Sequence, residues 1–410
     1  MKNTICMITQ SRYPLDPRVR RQAEALEKEG YEVDILCLPS IDDLPVEKFG
    51  NITAYRVLKN PKKKEKMHNY LFLTFIFFVK SYLLLQKLYK ERNYKVIQIH
   101  NMPEFHVFTA LPQKRKKVPI VLDIHDLTTE LFEEKWPKLS PLTRIVTNFA
   151  EKISTKFANK VITVTDGCKE ILISRGVPEE KITLILNTAD VETFKFNYDR
   201  DFNKIEESAK LLYHGTVAYR FGIHIAIEAL SQLNRVIPNS RLYVYGKYDP
   251  SYRAYLNTLI NKLELVDSVY LNYSRPWEEI IEIMNNSDIE IVPYLGTKYM
   301  HLSLSTKLFE CAAAGLPVVS TKLNTIRKTF KGNSIKYFKD RDPKNLAEKI
   351  TELCLNPEER KTQTLNAYRE LKDISGDIMS SRYIELMSSL IKTSSEEENH
   401  QRRNPLEAIS

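Results

Sequence analysis

Short apolar runs alternate with helical stretches along this chain, twice over, with one polar interruption. Residues 4–9 (TICMIT) read as a buried strand. Asp16-Pro17 follows as an N-cap and a first-turn proline. The helix at 18–29 then keeps Val19, Ala23 and Leu26 on one face and stops at Gly30. Further strands are expected at 32–38, 96–100, 120–123, 161–164 and 182–186, with helical stretches between them. Such alternation demands a parallel sheet covered on both faces. Residues 195–210 (KFNYDRDFNKIEESAK) are polar and without period, and read as a linker. A second series follows, with strands at 211–214, 241–245, 269–272, 289–293 and 317–320 and helices at 222–234, 251–263, 277–285 and 306–314. Helices are also expected at 342–356 and within 377–392, and a disordered polar tail at 393–410.

The expected fold class is therefore α/β, with two tandem doubly wound, Rossmann-like domains facing across a cleft. They are 1–195 and 196–376, with the 377–392 helix returning to the first. At 410 residues and 43% hydrophobic, the chain is long and apolar enough to bury two cores. In open α/β sheets ligands bind beyond the carboxyl ends of the strands. Five scattered cysteines without a CxxC pair read as buried free thiols in a reducing compartment. The N-terminus lacks a signal-peptide core and reads as the first strand, so a cytoplasmic location is expected.

The net charge of +9 is unevenly spread: residues 51–117 hold 15 Lys and Arg against 3 Asp and Glu. Two clusters, Lys62–Lys64 with Lys66 and Lys114–Lys117, flank residues 70–89, which are apolar or aromatic at 15 of 20 positions. Three readings stand for that stretch: a membrane span, a buried crossover helix, or a helix whose outer face touches an anionic membrane. Lys80 at its middle and a strand soon after it oppose the span. The flanking bases favour an anionic membrane surface through 62–117. Nucleic acid is not expected, because the aromatics lie on one apolar helix rather than between basic strands.

Three motifs sit where strands end. Residues 215–222 (GTVAYRFG) follow a strand and open a helix. Gly215 lets backbone amides approach an oxyanion, and Arg220 offers a charged fork for phosphate. In residues 303–317 (SLSTKLFECAAAGLP), Ser305 or Thr306 can cap the helix. Lys307 puts positive charge in its first turn, and Glu310 lies one turn beyond Thr306, within reach of ribose hydroxyls. At Asp123-Ile-His125-Asp126, a titratable imidazole ends a strand and Asp126 is placed to orient it. Each also has a plain structural reading as a strand-to-helix turn, a packed helix, or a buried His–Asp pair. The strings Asp199-Arg-Asp201 and Asp340-Arg-Asp342 fall in expected linkers, so no metal site is assigned.

These motifs, in this order, resemble the retaining GT-B glycosyltransferases, specifically the large family four that builds bacterial glycans from nucleotide sugars. The resemblance runs from about Asn3 to Ile391. It rests on Tyr13-Pro14, Asp16–Val19, Ala23–Leu26, His100-Asn101, Asp123–Asp126, 161–166, and Asn187 with Asp190. In the second half it rests on His214–Gly222, Gly246, Ser287-Asp288 and Ser305–Pro317. Four positions depart from the family: Thr216 and Phe221 replace basic residues, Leu302 replaces the first of two paired glutamates, and Ser11-Arg12 replaces a Gly-Gly pair.

The resemblance implies an acceptor domain at 1–195 and a donor domain at 196–376. Gly215, Thr216, Arg220, Ser305, Thr306, Lys307 and Glu310 would bind a UDP- or GDP-linked sugar. Arg220 and Lys307 would hold the diphosphate, and Glu310 the ribose. His125 would contact the transferred sugar or stabilise the transition state, acting with Arg220 and Lys307 as the catalytic residues, and Arg12, Tyr13, His100 and Asp126 would line the acceptor side or the cleft. The implied activity is a retaining, metal-independent transfer to a lipid-linked or polysaccharide acceptor, with no cofactor. A non-catalytic subunit on the same scaffold and a nucleotide-sugar epimerase are the alternatives.

Overall fold

The computed structural model describes residues 3–40, 43–58, 67–136, 140–189 and 193–403. The chain divides into two units, Met1–Leu186 with Met379–Ser410, and Asn187–Ile378. The division falls at Asn187, upstream of the linker read from sequence. Phe194 and Ala189 belong to the second unit's core, and the Phe196 ring packs on Tyr368 at 4.6 Å.

The first unit holds eight strands: β1 (Thr4–Arg12), β2 (Glu32–Leu38), β3 (Val46–Phe49), β4 (Ile52–Arg56), β5 (Val96–His100), β6 (Ile120–Ile124), β7 (Lys160–Thr163) and β8 (Ile182–Leu184). Their order is β3-β4-β2-β1-β5-β6-β7-β8. All neighbours are parallel except the β3–β4 pair. The central strands are continuous buried runs, as a sheet covered on both faces requires. The second unit holds β9 (Lys210–His214), β10 (Arg241–Gly246), β11 (Val269–Tyr273), β12 (Ile289–Val292), β13 (Val318–Thr321) and β14 (Lys336–Phe338). Their order, β11-β10-β9-β12-β13-β14, is parallel throughout. The strand order reverses between β1 and β5 in one sheet and between β9 and β12 in the other. Each reversal opens a crevice at the strands' carboxyl ends, which is where the three motifs lie.

Several expectations need correction. The tail from Thr393 is not disordered at its start: the last helix runs Gly376–Arg403. Once nucleated, a helix propagates cheaply through residues such as Glu, Gln and Arg, so loss of apolar period does not end it. That helix packs on the first unit, where the Tyr383 hydroxyl donates to Gln98 Oε1 at 2.5 Å and Arg382 donates to the Leu184 carbonyl. The apolar stretch forms the Met67–Arg92 helix, with Thr74, Phe77, Ser81, Leu85 and Leu88 buried and its other side exposed. The Lys62–Lys64 cluster and Asp190 lie outside the described residues. All five cysteines are free and buried.

Candidate functional site

In the second unit the site is built around two glycines and one buried lysine. Gly215 leaves β9 with φ +120°, and a Cβ there would stand 3.1 Å from Lys307 Nζ. Gly222 (φ +67°) closes the loop, and a Cβ there would meet the Pro293 carbonyl oxygen at 1.8 Å. Both turns therefore need a residue without a side chain. Lys307 is 4% exposed. Its Nζ lies 3.6 Å from the Tyr213 ring centroid and 5.3 Å from that of Tyr294, and it has no hydrogen-bond partner among the described residues. A cation held dry between two ring faces, with its donors unspent, is poised for an anion.

Ser305 stands at the N-cap of the Thr306–Ala314 helix but does not cap it with its side chain. Its hydroxyl accepts from the Tyr294 hydroxyl at 3.0 Å. The capping expected of its side chain is thus corrected, and of the first-turn amides that of Leu308 bonds to the Ser305 carbonyl at 3.2 Å. Arg220 lies 4.7 Å from the Phe221 ring centroid, and Phe221 lies 5.1 Å from Tyr294. The departure at Phe221 therefore has a packing role: its ring joins Arg220 to the Tyr294–Ser305–Lys307 group. Arg220 Nε is buried without a partner among the described residues. Thr216 is exposed, and its carbonyl takes the Tyr213 hydroxyl at 2.6 Å.

Glu310 has a partner that the sequence reading missed. Its Oε2 lies 2.8 Å from His214 Nε2, and Glu290 Oε1 lies 3.2 Å from His214 Nδ1. Burial opposes a charged imidazole here, but the two carboxylates outweigh it and raise the His214 pKa to about 9. An imidazolium between two buried carboxylates fixes Glu310 in place. Glu290 was the signal available in the sequence, as the one charged residue of an otherwise apolar central strand. At the position of the missing first glutamate, Leu302 ends a short helix. Its neighbours are locally engaged: His301 Nδ1 accepts from Asn324 N–H and Ser303 donates to the Tyr299 carbonyl.

In the first unit Asp123 is the hub. Its Oδ2 lies 3.4 Å from His100 Nδ1 and accepts from Gln22 Nε2 at 2.9 Å, and its Oδ1 lies 3.9 Å from His125 Nδ1. Asp126 and Asp123 both favour a charged His125, and Asp123 is a neighbour of the ring that the sequence reading did not single out. The Asp126 carbonyl accepts from Asn101. Burial and the Arg18 charge lower the His125 pKa to about 4, so the ring is neutral near pH 7. Burial raises the Asp123 pKa, but the histidines and Gln22 outweigh it and hold it at about 2. Arg12 ends β1 exposed. Tyr13 is 2% exposed, its ring against Phe49 and its carbonyl bonded to Arg56. In the second DxD string the aspartates serve the backbone, Asp342 capping the Pro343–Leu355 helix and Asp340 accepting from Gly296 N–H.

Comparison with known proteins agrees with this layout. Residues 18–193 match the model of glycosyltransferase family 4, and residues 194–370 match that of glycosyl transferases group 1. The chain carries both halves of a GT-B glycosyltransferase. Among curated relatives, the glycosyltransferase chain is 25% identical over 322 residues to an uncharacterised glycosyltransferase of Methanocaldococcus jannaschii, covering 75% of this chain and 76% of that one. It is 22% identical over 329 residues to a Campylobacter jejuni N,N'-diacetylbacillosaminyl-diphospho-undecaprenol alpha-1,3-N-acetylgalactosaminyltransferase, covering 77% and 82%. Among solved structures, a Thermosynechococcus elongatus sucrose-phosphate synthase superposes with a TM-score of 0.76 at 17% identity, over 96% of this chain and all of that one. Anabaena HepE in complex with UDP superposes at 0.69 and 16% identity, over 95% of this chain and all of that one.

Proposed function

We propose that this glycosyltransferase moves a sugar, with retention, from a UDP- or GDP-linked donor to a lipid-linked or glycan acceptor on the cytoplasmic side of a membrane. The observation that carries the donor reading is Lys307: a buried amine with no partner among the described residues, beside Gly215 and in the first turn of a helix. With Arg220 and the helix amides it offers a complete counter-charge for a diphosphate. Glu310, held by His214, accepts from the ribose hydroxyls. The lipid-linked acceptor named for the Campylobacter relative supports the acceptor class.

In the reaction the bond from the anomeric carbon to the phosphate oxygen breaks. The bond to the acceptor oxygen forms on the same face, and the acceptor proton passes to the departing phosphate. Lys307 and Arg220 stabilise the negative charge that grows on that phosphate. His125, neutral and beside Asp123, donates to a sugar hydroxyl without adding charge. Basic side chains answer the diphosphate, so donor binding proceeds without a divalent metal or other cofactor.

The test is nucleoside diphosphate release from a panel of nucleotide sugars, with and without undecaprenyl-linked acceptors and in the presence of EDTA. Release in proportion to acceptor supports the reading. Sugar conversion without acceptor would instead identify an epimerase, and no turnover with intact nucleotide binding would identify a non-catalytic subunit.

A further inference from the structure

We infer that the first unit docks on an anionic lipid bilayer through the outward faces of two helices, Met67–Arg92 and Pro141–Phe157. This deepens the lipid-linked acceptor reading but rests on different residues. On the first helix Leu71, Phe75, Val79 and Leu83 are exposed. At 100° per residue they fall within about a third of the circumference, opposite the buried Thr74–Phe77–Ser81–Leu85–Leu88 face. On the second helix Leu142, Ile145, Val146 and Phe149 are each more than half exposed and spaced as one stripe. Large apolar side chains at helical spacing, facing water on two helices, call for a partner.

Both helices pack against the same Glu104–Ala110 segment. Both also run from apolar to basic on the outward side, ending in exposed Lys87 and Lys90 on one and Lys152 and Lys156 on the other. A third basic group joins the two ends. Lys116 Nζ lies 4.9 Å from the Tyr89 ring centroid, at the end of the first helix, and Lys114 Nζ lies 5.8 Å from that of Phe157, at the end of the second. The result is one apolar field with a basic band along one side.

Charge selects the occupant. A second copy would bring two positive bands together, whereas an anionic bilayer offers acyl chains to the field and phosphates to the band. The Leu71–Arg92 segment of 22 residues holds an 18-residue window of mean hydropathy 1.6, long and apolar enough by length and composition to cross a membrane. Its inner face is committed elsewhere, with the Phe77 ring 5.2 Å from His106 and Phe78 5.9 Å from Phe105. The helix therefore lies on the bilayer rather than through it.

The test is co-sedimentation of the full chain with vesicles of phosphatidylglycerol and phosphatidylcholine, or of phosphatidylcholine alone. We expect at least tenfold tighter binding to the anionic vesicles. Serine at Leu142, Ile145, Val146 and Phe149 together should lower binding tenfold or more. Serine at Lys87, Lys90, Lys152 and Lys156 should erase the lipid preference, at about fivefold per lysine. Nucleoside diphosphate binding by the second unit, and the melting curve, confirm that each variant is folded. Equal recovery in the supernatant with both vesicles, or unchanged binding by both variants, overturns the inference. So does a dimer in sedimentation velocity that the four-serine stripe variant dissolves. Vesicle binding without nucleotide binding would defeat the donor reading and leave this one standing.

Discussion

At the residue scale the second unit turns on two buried cations with opposite roles. His214 is spent on Glu290 and Glu310, while Lys307 Nζ has no hydrogen-bond partner among the described residues and is proposed to meet the donor diphosphate. Glu310→Gln keeps the shape but removes a charged acceptor. It should weaken nucleoside diphosphate binding about tenfold, since a hydrogen bond to a charged group contributes about 1.5–3 kcal/mol. Calorimetry of the variant checks this, and unchanged affinity would remove Glu310 from the site. His214→Gln leaves Glu290 buried without its cation and should cost the second unit about 3–5 kcal/mol. A urea titration reads that loss. The sequence made Lys307 and Glu310 legible because both carry charge into a helix's first turns. It hid their partners, because His214 and Glu310 meet only when β9 and the Thr306–Ala314 helix come together. The role of Asp123 as a hub was hidden for a related reason: only the fold of β5, β6 and the first helix places Gln22, His100 and His125 around it.

At the element scale the sheets were readable almost strand by strand, because a doubly covered parallel strand must be a short apolar run. β14 and the β3–β4 pair were not. β14 is three residues long, and in the edge pair β3 alternates exposed with half-buried residues and β4 buried with half-buried ones, a weaker signal in a region dominated by charge. The Pro357–Lys372 helix was also missed, because its polar sequence has little apolar period even though Arg360, Gln363 and Thr364 are buried. The glycine loop gives a sharper test of local structure. Gly222→Ala meets both a left-handed φ and the Pro293 carbonyl, and should cost more than 2 kcal/mol. Gly30→Ala shares the left-handed φ (+83°) but meets nothing within 4 Å, so it should cost only about 1–2 kcal/mol. Melting temperatures of the two variants compare them, and equal losses would contradict the packing described for the loop.

At the scale of the whole molecule, the two units should answer pH differently. His214 is raised from an ordinary 6.5 to about 9, so its stabilisation is complete below 6.5 and is lost as pH rises through 9. The amount is on the order of 3 kcal/mol. His125 is depressed to about 4, so its contribution is complete above 6.5 and fades as pH falls through 4. Trp277 lies in the second unit, 6.5 Å from His214, and Trp136 in the first. Urea unfolding followed by fluorescence of a Trp136→Phe variant should therefore show the second unit weakening between pH 7 and 9. A flat profile would mean that His214 is not charged in the fold. The distribution of roles also follows from charge. The basic surplus lies in the first unit, on which the proposed bilayer docking rests, and the second unit holds the buried cations proposed to bind the donor.

Nucleotide binding by the intact chain is the most direct measurement. Calorimetry should compare a nucleoside diphosphate with its parent nucleoside, for the native chain and for Lys307→Met combined with Arg220→Ala. The account predicts that the diphosphate binds at least 100-fold more tightly than the nucleoside to the native chain, and that the double variant loses most of that difference. Equal affinity for the two ligands, or a diphosphate preference that survives both substitutions, would contradict it.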